Sequence, residues 1–413
     1  MSDAAHAAPM RRKFLSRGVY ILLALMACGT FFAARRFIYG IGAITNLDNQ
    51  YPWGIWIAVD VACGVALAAG GFTTAALAHV FHREKFHPLV RPALLTAALG
   101  YTFVALGLLV DLGRFYNIWH PLLPMMWSGN SGLFEVGMCV MTYLTVLYIE
   151  MMPIVVERFM GRVHLPGVLA MLNGTIEFLL RLFDRTLGRV MSLFIIAGVV
   201  LSCMHQSSLG VLLVLTPFKM HPFWMSPIQP LLFLLSAFAV GLSMAIFEGY
   251  FAARSFSLEQ ETPVFRGLTR IIPVLLLILL TVKVTDLAVR EAFVHIDGGL
   301  ETRYFLAEVL IGIVAPMILF LLDWTRRHPG RMAFAAALVI GGVVLNRINV
   351  FLVAYKPVYM QSRYVPAIGE LAVTAGLIAG LIFIYRFLVI HLPILPAAPS
   401  AAPANQGTEV RHA

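Results

Sequence analysis

Long apolar runs recur along the chain, separated by short polar breaks. Ten such segments stand at roughly 18–38, 53–80, 91–113, 132–154, 191–215, 228–251, 268–288, 304–323, 332–354 and 367–390. A helix needs about 20 apolar residues to cross the hydrocarbon core of a bilayer, and each run reaches that length. Barrel strands need about 10 residues of alternating polarity, which these unbroken runs do not offer. The pattern predicts an all-α integral membrane protein of about ten transmembrane helices over residues 18–392. Residues 1–17 form a tail containing Arg11, Arg12, Lys13 and Arg17. This cluster and the run behind it imitate a signal peptide. The run extends to about residue 34, however, beyond the roughly 7–15 residues of a signal core, so it is read as the first span. Between residues 156 and 190, apolar residues at helical spacing are interspersed with Arg181, Asp184, Arg185 and Arg189. This predicts an amphipathic helix along the inner membrane surface, over about 160–189. The Pro/Ala-rich stretch 393–413 predicts a disordered tail.

Composition narrows the class further. Of 413 residues, 60% are apolar and 12% charged, against about 25% charged in a soluble domain. So few charges cannot cover a water-facing surface, and so many apolar residues exclude disorder for the bulk of the chain. The formal charge is +9, with 30 Lys and Arg. Twenty of these fall on the side of the membrane that carries both termini, eight on the other, and Lys283 and Arg347 lie within spans. That asymmetry predicts cytoplasmic termini. No basic run is interleaved with aromatics, so nucleic acid is not an expected partner; membrane lipids are. Cys28, Cys63, Cys139 and Cys203 each lie in an apolar run without CxxC spacing, so the chain offers no ligand set for zinc or an iron–sulfur cluster. The outer loops, such as RFYNIWHPLLPMMWSGNS and TPFKMHPFWMSPIQP, are rich in Trp, Tyr, Met and Pro. They read either as a surface that docks a partner or as interface anchoring.

A charge at the bilayer centre costs about 2.5–3.5 kcal/mol on insertion scales, so polar residues within spans need a reason. The candidates are Asp60, Tyr101, Asp111, Glu135, His205, Glu248, Lys283, Asp286, Glu308, Arg347 and Glu370. Asp60, Glu135 and the Asp111–Arg114 pair belong to the outer half, Tyr101 and His205 to mid-depth, and Glu248 to the inner end. One meaning is a quinone pocket: His and Tyr hydrogen-bond the ring oxygens, and Asp or Glu exchange protons. Another is a proton or ion path of a transporter. A third is structural pairing, with Asp111 against Arg114 and Lys283 against Asp286 as same-helix pairs. Haem needs facing histidines, and of twelve only His205 is clearly at mid-depth, so no haem is expected.

The runs YPWGIWIAVD (51–60), HPLVRPALL (87–95), LVDLGRFYN (109–117), LFEVGMC (133–139), MHQSSLG (204–210) and IFEGY (246–250) stand in order along the chain. Together they resemble the NrfD/polysulfide reductase membrane-subunit family, in the HybB-like branch of hydrogenase-2-type enzymes. The resemblance implies a core of two four-helix bundles with extra helices. It implies a haem-free, multi-pass subunit of the bacterial cytoplasmic membrane that is not itself the catalytic centre. Such a subunit exchanges electrons between a quinone, menaquinone or ubiquinone, and an iron–sulfur subunit docked on the periplasmic loops. A large catalytic subunit such as a nickel–iron hydrogenase lies beyond, and proton transfer or translocation is coupled. The family's quinone-site and proton-handling positions fall on Tyr101, Glu135, His205 and Glu248, with Asp60, Asp111 and Arg114 at further polar motif positions. A proton-coupled secondary transporter and a purely structural anchor remain the alternatives.

Overall fold

The computed structural model describes residues 7–10, 13–359 and 363–396. The tail expected to be disordered falls outside these from residue 397 on, as do Arg11 and Arg12. Ten helices among the described residues are long and apolar enough to span a membrane: α1 (Arg17–Tyr39), α2 (Trp56–Val80), α3 (Glu84–Asp111), α4 (Gly132–Phe159), α5 (Gly167–Val214), α6 (Gln229–Phe256), α7 (Thr262–Val289), α8 (Leu300–Leu321), α9 (Pro329–Val353) and α10 (Ile368–His391). Antiparallel neighbours place the loops after α1, α3, α5, α7 and α9 at one end, called here the aromatic end. The first and last described segments meet at the other end, called here the termini end. There Ala7 bridges to Pro396, and Arg386 donates to the backbone oxygens of Lys13 and Phe14. Ile394 and Leu395 are buried in the core, so the start of the stretch expected to be disordered is packed.

Packing sorts the helices into two four-helix bundles. In the first, α2, α3, α4 and α5 contact one another in a ring; in the second, α6, α7, α8 and α9 do so. α2 touches both α6 and α9, α5 touches α6, and α1 lies with α10 against α3. Association of helices in lipid depends on close backbone approach. The sequence of α2, rich in Ala and Gly, permits it: a Cβ on Gly241 of α6 would sit 2.8 Å from the backbone of Ala69, and one on Gly376 of α10 would sit 2.9 Å from Gly29 of α1.

α2 is not a regular helix. π-helical turns occupy Trp56–Cys63 and Ala76–Val80, and two more lie at Leu310–Val314 in α8 and Asn349–Val353 in α9. Such turns widen the helix and commonly mark functional positions; here the first carries Asp60 and the second His79. The expected inner-surface helix is not a separate element. Asn173–Val214 is one 42-residue helix, with no proline to break it. At 1.5 Å per residue it is about 63 Å long, twice the hydrocarbon thickness. Its first part therefore extends beyond the termini end, with Phe178, Leu179 and Leu182 exposed.

Candidate functional site

The first bundle holds a column of polar side chains between its two ends. At the aromatic end Glu135, in the first turn of α4, accepts a 2.5 Å hydrogen bond from Ser208 of α5 and is itself exposed. One residue pair further in, Gln206 donates to the Val65 carbonyl of α2 at 2.8 Å. At mid-depth His205 and Tyr101 are both 0% exposed, with Nδ1 3.0 Å from the phenol oxygen. Tyr143 of α4 meets Tyr101 edge-on at 4.6 Å, and Ser202 lies beside both phenols. Towards the termini end the column opens into a cavity of about 280 Å³ lined by His79, His87, Arg91 and Glu150. Gly198 makes the space for Glu150, since a Cβ there would fall 2.5 Å from its Oε1. The Nε2 of His205 is buried without a hydrogen-bond partner among the described residues. Buried polar atoms are rarely left so, and this one marks a place for water or a transferable proton.

A second cluster sits at the aromatic end between α1, α2, α3 and α10. Asp60 accepts from Thr374 at 2.7 Å. Glu370 accepts from Tyr364, and from the backbone of Asn46 and Ala367 at 3.1 and 2.8 Å. Outside the spans, Tyr364 is held above its ordinary pKa by burial first and by the Glu370 carboxylate second. Asp111 does not pair with Arg114, which is exposed. Its electrostatic partner is Arg36, and its Oδ1 is buried with no hydrogen-bond partner among the described residues. Arg36, not among the polar candidates read from sequence, is 1% exposed within α1. Its guanidinium donates to the Val110 and Leu112 carbonyls, where a cation complements the end of α3. Nothing about spacing could reveal a partner 75 positions away.

The second bundle holds a third network. Lys283 pairs with Glu308 of α8, not with Asp286, which pairs with Arg290 at 2.6 Å. Glu308 also accepts from Trp224, Asn346 and Asn349 at 2.8, 2.8 and 3.0 Å. Arg347 donates to Ser236 at 2.9 Å and stacks 3.5 Å over Phe233. Towards the termini end this bundle closes with Leu268, Ile272, Phe320, Met332 and Val339, all fully buried. Glu248 joins neither network: it accepts 2.7 Å from Tyr385 of α10 at the side of the molecule.

The resemblance groups Tyr101, Glu135, His205 and Glu248; the first three stand in one column, Glu248 lies apart with Tyr385, and Asp60 and Asp111, given the same outer depth as Glu135, fall in a separate cluster. Sequence reasoning missed Arg36, Glu150, Tyr143 and Tyr385. Glu150 lies within the predicted span 132–154 but was not among its polar candidates, and its place opposite Gly198 is visible only in the fold. At the aromatic end Met125, Phe218 and Tyr359 are 82%, 92% and 79% exposed, with Trp119 and Trp127 beside them in chain order.

The chain matches the family model described as "Polysulphide reductase, NrfD" over residues 43–358. It is 35% identical over 402 residues to a protein of Nitratidesulfovibrio vulgaris, covering 95% of this chain and 98% of that one. It is 32% identical over 409 residues to the probable Ni/Fe-hydrogenase 2 b-type cytochrome subunit of Escherichia coli, covering 98% and 97%. It is 25% identical over 396 residues to the menaquinone reductase integral membrane subunit of Nitratidesulfovibrio vulgaris, covering 89% of each.

Proposed function

The chain belongs to the NrfD (polysulphide reductase) family, and from that premise we propose that it is the haem-free, quinone-interacting membrane subunit of a hydrogenase-2-like respiratory complex. It exchanges electrons between the quinone pool and an iron–sulfur subunit seated on the aromatic end, taken as the periplasmic face, with a large catalytic subunit beyond. Both termini are then cytoplasmic. The names of the relatives, a hydrogenase subunit and a menaquinone reductase subunit, support the quinone link. The observation that carries the reading is the polar column of the first bundle, running from exposed Glu135 to the Glu150 cavity.

A quinol supplies two electrons and two protons, and the protein must provide acceptors for the protons where the ring sits. Two buried atoms without hydrogen-bond partners among the described residues, Asp111 Oδ1 and His205 Nε2, fit that demand. Glu135 accepts a proton at its free carboxylate oxygen, while Ser208 holds the other. From there Gln206, His205 and Tyr101 form the inward line. The His205–Tyr101 bond can reverse its donor, since both groups carry a proton and a lone pair. Tyr143 and Ser202 extend the line towards Glu150. Asp60 and Asp111 serve as acceptors on the α10 side of the bundle, with Arg36 holding the local charge balance.

The haem-free part rests on the histidines. No facing histidine shares the depth of His205 among the described residues, so a bis-histidine pair is not formed there. His79 and His87 meet edge-on at 5.0 Å between ring centres, which leaves no room for a macrocycle between them. The exposed Trp, Met and Phe side chains of the aromatic end supply an apolar docking surface for the iron–sulfur subunit.

The test is Glu135→Gln in native membranes. Quinone-linked turnover is expected to fall by about a hundredfold, the usual contribution of a positioned proton acceptor, with assembly of the complex unchanged. Unchanged turnover in an assembled complex removes Glu135 from the mechanism and leaves the chain an anchor.

A further inference from the structure

Glu248, which the resemblance groups with Tyr101, Glu135 and His205, stands apart from their column and opens elsewhere. By helix rise it lies about 28 Å from the aromatic end of α6. Its carboxylate and the Tyr385 hydroxyl, 2.7 Å apart, form one wall of a cavity of about 280 Å³ between α3, α6 and α10. Phe247, Phe251, Leu381 and Ile382 line the rest, and Phe251 and Ile382 are 47% and 46% exposed on the lateral surface. The cavity is thus entered from the side, where the acyl chains lie. Thr96 of α3 adds a hydroxyl, and Arg386 stands at the edge nearest the chain termini.

We infer that this cavity is a second binding site for a membrane-soluble quinone or quinol head, separate from the outer site and facing the inner leaflet. The inference rests on the quinone reading above and deepens it. Three features select the ligand class. Phe251 and Ile382 are exposed on the lateral surface beside the cavity, which suits a ligand dissolved in lipid. The volume matches the small end of ligand pockets, about 300 Å³, enough for a ring and the start of a tail. The wall offers an acceptor and a donor side by side: a ring hydroxyl donates to Glu248, and a ring oxygen accepts from Tyr385 or Thr96. An acyl chain adds no hydrogen bond to that wall, where Tyr385 and Thr96 already face Glu248, whereas a ring hydroxyl adds a donor to the carboxylate. Lying in the half opposite the docking surface, the site binds from the pool without exchanging electrons with a docked partner.

The experiment uses the native complex in its membranes, a photoreactive azido-naphthoquinone with a prenyl tail, and peptide mapping of the adducts. Adducts are expected in two places: near the aromatic end, and within 244–256 or 381–386. In Glu248→Leu and in the milder Tyr385→Phe, the second set is expected to fall by about tenfold, the loss of one strong hydrogen bond, while the first set is unchanged. Adducts confined to the aromatic end overturn this inference and leave the outer site standing. Adducts nowhere overturn both. Inner adducts that persist in both variants, or that a photoreactive phosphatidylglycerol displaces, give the cavity to phospholipid and overturn it as well.

Discussion

His221 shows what one side chain does in the loop between α5 and α6. Its backbone N–H donates 2.8 Å to the Ala354 carbonyl, and its ring stacks among Phe223 and Trp224. The Phe223 N–H points at its Nδ1 at 3.3 Å, so that nitrogen must act as an acceptor and the ring must be neutral. Burial first, and the Lys356 charge second, hold its pKa below the ordinary 6.5, against an opposing pull from Glu301. The sign follows from proton counting. The unfolded chain binds a proton at this residue near pH 6.5, the folded chain does not, and stability is lost as pH falls below that value. Thermal unfolding of the purified protein is expected to lose stability between pH 7 and pH 5.5, and His221→Gln, which keeps an acceptor, is expected to flatten that loss. An identical slope in the variant would assign the acid sensitivity elsewhere. Arg36 teaches a related lesson. Read alone, it is a loop cation; in place, it spends its charge on the last carbonyls of α3 and on Asp111.

At the level of helices, hydropathy alone located the ten spans, because length and apolarity are what the bilayer demands. What it could not locate were the pairings between spans. Lys283 and Asp286 share a helix face, and sequence spacing joins them; the folded chain instead turns Lys283 towards α8 and gives Asp286 to Arg290. The reason is that Glu308 is 2% exposed and needs a cation, whereas Asp286 lies near enough to the end of α7 to reach an arginine there. The extension of α5 was hidden for the opposite reason: mixed apolar and basic residues look alike on a surface helix and on a protruding one. The Lys283–Glu308 pair supports a prediction. Lys283→Met leaves Glu308 charged and uncompensated, which costs about 3–5 kcal/mol, while Lys283→Met with Glu308→Gln restores most of that because Trp224, Asn346 and Asn349 remain partners. Unfolding in detergent measures both; a double variant as unstable as the single one contradicts the pairing argument.

Across the whole molecule, two bundles of similar architecture treat polarity differently, and under the proposed function that difference predicts which of them carries protons. The second bundle is polar only towards the aromatic end; its water-sized cavity of about 30 Å³ lies beside Lys283 and Glu308, and the apolar plug from Leu268 to Val339 seals it below. A proton entering there has no onward partner. The first bundle has no such plug: polar side chains continue from Glu135 through His205 and Tyr101 to Glu150 and the cavity of His79, His87 and Arg91. Sequence supplied the upper half of this line, since its residues sit deep in apolar runs. It missed the lower half because Glu150, near the inner end of the predicted span 132–154, was not among the polar candidates. The asymmetry makes Glu150 the residue whose loss separates proton movement from electron transfer. In liposomes carrying the assembled complex, Glu150→Gln is expected to keep quinone-linked electron transfer within about threefold while lowering proton movement per electron by about tenfold or more, the scale of one lost proton-transfer group. Lys283→Met with Glu308→Gln, in the sealed bundle, is expected to leave that ratio unchanged. If the double variant lowered the ratio and Glu150→Gln did not, the conducting bundle would be the second one, and the plug would have to open during turnover.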